Sequence, residues 1–148
     1  MTTRPIVLTL CLIAVAAIAV LVWGRYTSEP AGAFRDFPWT YISEKSCGPD
    51  ESRVIIHRGE ITGPPSVTDE ASGETAWPAF IHPDPAVVPL VGGKPVIFPL
   101  IAQGNGARTP VIPGLKRPLS PGELQGVVRY FTPEGRERMD AFRKEMGQ

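Results

Sequence analysis

An uncharged apolar run near the amino terminus constrains this 148-residue chain more than any other feature. Between Ile6 and Gly24 no side chain is charged, and eleven of these positions are Leu, Ile or Val. A helix over this interval, at about 1.5 Å per residue, is about 30 Å long, which matches the thickness of bilayer hydrocarbon. The run therefore predicts a transmembrane signal-anchor helix at 1–25, with membrane-spanning positions at Ile6, Leu10, Ile13, Ala17, Val20 and Trp23.

A cleaved signal peptide is the main alternative to a retained anchor. Arg4 supplies a positive n-region, and residues 31–33 (Ala-Gly-Ala) resemble a cleavage site before Phe34. The apolar run, however, is longer than the usual h-region, and the candidate cleavage site lies well beyond its end. A helix that is apolar on every face inside a soluble core is the weakest alternative, because a chain this short has little left to surround it. We therefore expect the anchor to be retained.

The charges that flank the run do not decide its orientation, because Arg4 is set against Arg25 and Arg35. A long domain after an anchor is translocated largely regardless of local charge. We therefore expect a juxtamembrane linker at 26–33 and one small domain at 34–148 on the extracytoplasmic side, which is periplasmic or extracellular.

The composition limits both the architecture and the partners of this domain. The chain has 17 Pro and 15 Gly, which favours short elements and turns over long regular sheets. Lys plus Arg total 15 and Asp plus Glu total 15, so there is no basic excess for nucleic acid phosphates. We predict the lipid bilayer and other membrane-protein subunits as partners, and no nucleic acid.

The first part of the domain, 34–101, is predicted to be mainly β or extended. The alternation of Phe37, Trp39 and Tyr41 is typical of a strand, and these aromatic side chains are expected to pack in the core. The stretch RVIIHRGEI at 53–61 is the clearest strand candidate, and the polar residues 66–75 indicate an exposed loop.

The stretch VVPLVGGKPVIFPL at 87–100 resembles a hairpin, although Pro89 and Pro95 cannot donate to a ladder. A two-residue loop of Gly92 and Gly93 would place one of these prolines at a hydrogen-bonded position. We therefore predict either a three-residue loop of Val91, Gly92 and Gly93, which sets Pro89 opposite Pro95, or no hairpin.

Residues 102–119 are predicted to be a connector and residues 120–147 to hold two amphipathic helices. Ser120 with Pro121 and Glu123 has the pattern of a capping box, and Thr132 with Pro133 has that of a second N-cap. The expected apolar faces comprise Leu124, Val127, Val128 and Phe131 in the first helix and Met139, Phe142 and Met146 in the second. The fold class is therefore α+β after an N-terminal transmembrane helix.

The chain carries no pattern typical of catalysis, cofactor binding or metal binding. A metal site or a Cys-His nucleophile would have to draw on Cys47, His57, His82 and Asp84, whose spacing matches no known signature. We therefore predict no catalytic, cofactor or metal residues, and no enzyme activity. The residues taken as possible interaction positions are Trp39, Cys47, Trp77 and His82.

Two functional hypotheses follow from the anchor and the chemically quiet domain. The first is an accessory or scaffolding subunit of a membrane protein assembly, since a small domain without internal disulfides gains stability against a larger partner. The alternative is an anchored or secreted module that binds a ligand or a peptide near Trp39 or His82.

Overall fold

The structure is a computed structural model that describes residues 14, 16–18, 35–60, 62–103 and 107–147. The chain divides into two units, Met1–Phe34 and Arg35–Gln148. In the first unit the described residues are helical and exposed, and they include Ala17. Among the described residues, no helix has both the length and the apolar character needed to cross a membrane. The other predicted spanning positions, the linker and the candidate cleavage site lie outside the described residues; the spanning positions concerned are Ile6, Leu10, Ile13, Val20 and Trp23.

The second unit is a small sheet-rich α+β domain with few helices, as the sequence predicts. Its strands are β1 Phe37–Ser43, β2 Ile55–Gly59, β3 Val67–Thr68, β4 Thr75–Ile81, β5 Phe98–Ala102, β6 Arg108–Pro110 and β7 Val128–Arg129. The strand order is β2-β1-β4-β5-β6, with β3 and β7 also paired to β4, and every pairing is antiparallel. The helices are α1 Pro121–Gln125 and α2 Pro133–Glu145, and short 3-10 turns cover Glu44–Ser46 and Glu51–Arg53.

Prolines inside three strands fix the hydrogen-bonding pattern of the sheet. The pairs are Pro38 with Arg58, Pro78 with Tyr41 and Pro99 with Ala79. Because proline has no N–H, each of these pairs must be one that exchanges no backbone hydrogen bonds. The assignment agrees with the Ala79 carbonyl, which accepts instead from the N–H of Tyr130 at 2.9 Å, on the β7 side of β4.

The central strand β4 was not predicted, because Pro78 interrupts it. On the side away from β1, β4 pairs with β3 at Thr75 and Ala76 and with β5 at Ala79 and Phe80. The missing N–H of Pro78 falls in the gap between these two partners, so no ladder bond is lost there. The predicted loop at 66–75 is correspondingly shorter, because Val67–Thr68 forms β3 and only the residues that follow it make a turn.

The predicted hairpin register is wrong. Val91 pairs with Lys94 through two backbone hydrogen bonds of 2.9 and 3.1 Å, so the loop has two residues rather than three. Gly92 and Gly93 have φ of 60° and 77°, the left-handed conformation that such a tight hairpin turn requires. The ladder stops after this single pair, because the next hydrogen-bonded position would fall on Pro89, which has no N–H.

The first of the two predicted C-terminal helices is shorter than expected. The capping box of Ser120 and Glu123 is present, but α1 ends at Gln125, and Val128–Arg129 forms β7 against β4. Pairing with Phe80 and Ile81 outweighs the helical spacing of the apolar residues at this point, because strand formation suits the β-branched Val128. The second helix begins as predicted at the Thr132 cap.

The core packs on the sheet in two clusters. One contains Ile42, Ala79, Ile97 and Tyr130, and the other contains Val88, Val96 and Leu119. Phe37 and Tyr41 are fully buried, which confirms that the aromatic segment packs in the core, whereas Trp39 is only partly buried. In strand β1 the side chains of Phe37, Trp39 and Tyr41 share one face of the sheet. This face carries the candidate site described below.

Candidate functional site

A polar pocket of about 630 Å³ lies at the end of β2, between this strand, the loop that follows it and β3. Strand β2 contributes His57, and the segment after it contributes most of the other lining residues. The polar side chains of the lining are His57, Glu60, Thr62, Ser66, Thr68 and Glu70.

Two aromatic residues of β1 hold the pocket loop in place. The indole Nε1 of Trp39 donates to the Glu60 carbonyl at 2.6 Å, and the Tyr41 hydroxyl donates to the Pro64 carbonyl at 2.7 Å. Between these contacts Gly63 lies flat on the Trp39 ring, where a Cβ would approach three ring atoms to 3.0 Å. A glycine is therefore needed for the loop to approach the indole this closely.

The lining of the pocket is acidic. Glu60 and Glu70 contribute carboxylates, the lining contains no Lys or Arg, and neither carboxylate forms an ion pair within the described part of the chain. The His57 ring meets the Tyr41 ring edge to face at 6.1 Å, and its nitrogens have no hydrogen-bond partner among residues 35–60, 62–103 and 107–147. The pocket thus offers hydrogen-bonding groups and negative charge to a polar or cationic group.

Arg129 of β7 stacks on the aromatic residues of β1 that hold the pocket loop. Its guanidinium carbon lies 4.8 Å from the Trp39 ring centre, 5.5 Å from Tyr41 and 5.6 Å from Phe80. Its Nη2 donates to the Thr40 carbonyl at 3.3 Å, and its buried Nε has no hydrogen-bond partner among the residues that the structure describes. The aromatic faces and the Thr40 carbonyl together therefore compensate this partly buried charge.

Burial dominates the electrostatics of this stack. It lowers the pKa of Arg129, although the neighbouring Tyr41 opposes part of the change. It raises the pKa of Tyr41, and the Arg129 charge opposes part of that rise. At neutral pH both groups keep their ordinary states, a guanidinium cation and a neutral phenol, so the stack supports the pocket loop rather than exchanging protons.

The edge of the sheet next to the pocket presents backbone groups that point away from the sheet. Among the described residues, strand β2 is terminal in the sheet and pairs only with β1. Since Pro38 opposite Arg58 exchanges no hydrogen bonds, the N–H and C=O of Arg58 point away from β1, and those of Ile56, two residues earlier, do the same. Neither residue's backbone is bonded within the described part of the chain, and Ile56 is 47% exposed.

The opposite edge of the sheet is protected. Strand β6 has only three residues, and it ends in Pro110, which has no N–H to offer. Strand β2, in contrast, contains no proline and is bounded by Ile55 and Gly59. Of the two terminal strands, β2 is therefore the one that can accept a further strand.

The four residues predicted as interaction positions lie in separate places. Trp39 contacts the pocket loop. Trp77 of β4 pairs with Ile42 of β1, and its side chain lies on the opposite face of the sheet from Trp39. Cys47 packs beside the first core cluster, its thiol donates to the Glu44 carbonyl at 2.8 Å, and burial raises its pKa, so it remains a protonated thiol.

His82 is buried and bridges the loop after β4 to α1. Its Nδ1 accepts from the N–H of Asp84 at 3.1 Å, so Nε2 carries the proton and donates to the Glu123 carbonyl, also at 3.1 Å. Both ring nitrogens are therefore used for structure. Gly126 lies against this ring, where a Cβ would approach Nε2 to 2.8 Å.

The sequence did not indicate the pocket, because its residues are polar and come from a loop with no recognisable motif. The only signal for the free edge was the absence of proline from RVIIHRGEI in a proline-rich chain. Within the described ranges, no three His, Cys, Asp or Glu side chains are grouped so that they could hold a metal ion.

Comparison of the chain with protein-family models, with curated proteins and with solved structures gives no match. Function is therefore inferred from the sequence and from the geometry of the described residues.

Proposed function

We propose that this chain is a single-pass membrane-anchored protein whose small extracytoplasmic domain is an accessory or scaffolding subunit of a membrane protein assembly. The apolar run at 6–24 supports the anchor, since it is long enough to span bilayer hydrocarbon and carries no charge. The positions that define this run lie almost entirely outside the described residues, so the anchor rests on the sequence.

The observation that carries the scaffolding role is the unprotected edge of β2. A free edge strand is a template for pairing with another chain, and proteins usually block such edges with proline, charge or a covering segment. Strand β6 carries such a block at Pro110, whereas β2 has no proline, and its one charged side chain, Arg58, pairs with Glu134 at 3.3 Å. Strand β2 also exposes Ile56 and the backbone groups of Ile56 and Arg58. An edge of this kind is suited to a protein partner.

Membrane attachment is tested by extraction of the full-length protein at alkaline pH. We expect the wild type and Ala17→Leu to remain in the membrane pellet. The double variant Ala14→Arg/Ala17→Arg should be released, because each central arginine costs about 2.5 to 3.5 kcal/mol on insertion. A mature chain that starts at Phe34 and is found outside the membrane fraction would overturn the anchor.

The assignment of a partner is tested by purification of the full-length protein in a mild detergent. Stoichiometric co-migration with other membrane subunits through two successive columns is the result expected of an accessory subunit. Protease added outside sealed cells, or outside spheroplasts where an outer membrane encloses a periplasm, should remove the domain, since the proposal places it on the extracytoplasmic side. A monodisperse monomer that no subunit accompanies would contradict the scaffolding role.

A ligand-binding module is the second candidate, and the acidic pocket beside His57 favours it. Its volume of about 630 Å³ falls in the range typical of small-molecule sites. For such a module we expect a monomer whose melting temperature rises with a cationic or polyhydroxylated ligand, since a ligand that binds only the folded state stabilises it. Glu60→Gln should abolish the rise for a cationic ligand.

A further inference from the structure

We propose that the free edge of β2 binds an extended, basic segment of a partner protein, which adds to the sheet as an extra strand next to the acidic pocket. This inference rests on the proposed function and identifies the surface and the chemistry of the partner. It joins two neighbouring features, namely the outward-pointing backbone groups of Ile56 and Arg58, which are not bonded within the described part of the chain, and the carboxylates of Glu60 and Glu70.

The backbone of β2 provides a regular set of donors and acceptors. The N–H and C=O of Ile56 and those of Arg58 point away from β1 and are separated by two residues, which is about 6.6 Å along a strand. An added strand bonds to such a row through every second residue of its own backbone. These bonds provide affinity for any extended segment and do not depend on its side chains.

The side chains beside this edge determine which segment is favoured. His57 and Gly59 lie on the face of β2 that borders the pocket, whereas Ile56 and Arg58 lie on the opposite face. Alternate side chains of an added strand therefore face the pocket, and directly opposite residues have Cβ atoms about 5 Å apart. Lys or Arg at these positions brings a cation towards the carboxylates of Glu60 and Glu70 in the pocket.

The intervening positions of the segment lie on the face of Ile56, whose side chain is 47% exposed. An apolar side chain there covers Ile56 and removes it from water. The favoured segment is thus one in which basic and apolar residues alternate. Proline is excluded wherever the segment must donate to the carbonyls of Ile56 and Arg58.

A second copy of this chain is a poorer occupant than a basic segment. In an antiparallel pairing of β2 with its own copy, Ile55, His57 and Gly59 of the copy would lie on the face that borders the pocket. None of these residues is Lys or Arg, so the strand of a second copy would bring no cation to the carboxylates of Glu60 and Glu70. A basic segment therefore matches this edge better than β2 itself.

The test uses the full-length protein in detergent and a fluorescent probe, an acetylated and amidated peptide of alternating valine and lysine. We expect saturable binding, detected by fluorescence anisotropy. A matched probe with N-methyl groups on the backbone amides that face β2 should bind about tenfold more weakly or not at all, since it cannot donate. A probe with glutamate in place of lysine should also bind at least about tenfold more weakly.

Protein variants test the same contact from the other side. Ile56→Pro removes an N–H that points away from β1, so it should weaken probe binding about tenfold and leave the hydrogen bonds between β1 and β2 intact. Ile56→Val is the matched control, because it keeps this N–H. Glu60→Gln/Glu70→Gln should reduce the preference for lysine over glutamate and leave the effect of N-methylation unchanged. These two carboxylates lie outside β2, so this variant tests the pocket even if Ile56→Pro fails to fold.

The outcomes separate this inference from the proposed function. Equal binding of the methylated and unmethylated probes, or no binding of either, overturns the β2 edge as the docking surface, even if membrane subunits still co-migrate. Dimerisation of the full-length protein that Ile56→Pro abolishes also overturns it, in favour of a second copy. Selective binding of the unmethylated lysine probe in the absence of any co-migrating subunit supports the edge and removes the scaffolding role.

Discussion

The guanidinium of Arg129 lies 4.8 Å from the centre of the Trp39 ring, and the same indole donates from Nε1 to the Glu60 carbonyl at 2.6 Å. Trp39 thus connects a partly buried charge of β7 with the loop that forms the acidic pocket. The pocket loop contains few apolar residues of its own. Its position therefore depends on the stack of Arg129, Trp39 and Tyr41.

Replacement of Arg129 tests the stack. We expect Arg129→Met to lower the free energy of unfolding by about 1 kcal/mol, since it keeps most of the packing and loses the cation that the Trp39 ring stabilises. Urea denaturation followed by tryptophan fluorescence provides the measurement. Arg129→Lys is the matched control, and its free energy of unfolding should lie between those of the wild type and Arg129→Met. An Arg129→Met variant as stable as the wild type would mean that the cost of desolvating the guanidinium cancels its attraction to the aromatic rings.

The ion pair of Arg117 with Glu123 predicts a pH dependence in the acid range. Hydrogen bonds from Arg117 and from the Ser120 backbone lower the pKa of Glu123 from 4.5 to about 2. Because the folded-state value is the lower one, the stabilisation is fully present above the unfolded-state pKa and is lost as pH falls towards 2.

We therefore expect the wild type to melt above Glu123→Gln at neutral pH, and the difference in melting temperature to close between about pH 5 and pH 2. Circular dichroism at a series of pH values measures this difference. In an Arg117→Met background the effect of Glu123→Gln should shrink at every pH. A difference in melting temperature that stays constant down to pH 2 would show that the ion pair of Arg117 with Glu123 is not the source of the pH dependence.

Gly126→Ala tests the structural role of His82. The added Cβ would approach Nε2 to 2.8 Å and displace the ring from the Glu123 carbonyl, so we expect a loss of about 1 to 3 kcal/mol in the free energy of unfolding. Gly122→Ala in α1 is the control, because a Cβ there meets nothing within 4 Å and should be neutral or slightly stabilising. In a His82→Ala background the cost of Gly126→Ala should largely disappear.

Substitutions at Gly92 test the hairpin turn. Gly92 has a φ of 60°, so Gly92→Val should cost about 1 to 2 kcal/mol, whereas Gly92→Asn should be nearly neutral, because asparagine tolerates the left-handed region. Thermal denaturation of the three proteins provides the comparison. Nothing lies within 4 Å of a Cβ at this position, so any difference reports backbone conformation rather than packing. Equal stability of the Val and Asn variants would argue against the two-residue turn.

Local patterns predicted β1, β2 and the start of α2 because each is encoded by neighbouring residues. The alternation of Phe37 with Tyr41 marks a strand with one buried face, and the Thr132 cap marks the start of a helix wherever it packs. The same approach failed for α1 beyond Gln125, since Val128 has both helical spacing and a high preference for strands. Pairing with β4 settled that choice, and no local feature encodes it.

The sequence by itself determined an apolar run of membrane-spanning length and a sheet-rich domain with a helical end, because composition and periodicity act locally. It also determined that strand prolines occupy pairs without hydrogen bonds, because proline has no N–H in any fold. Only the tertiary structure decided which edge of the sheet is left open and what surrounds the pocket. Arg129 and Thr40 are 89 residues apart in the chain but share a hydrogen bond. Such contacts form between elements whose pairing depends on the packing of the whole domain, so they cannot be derived from any one stretch of sequence.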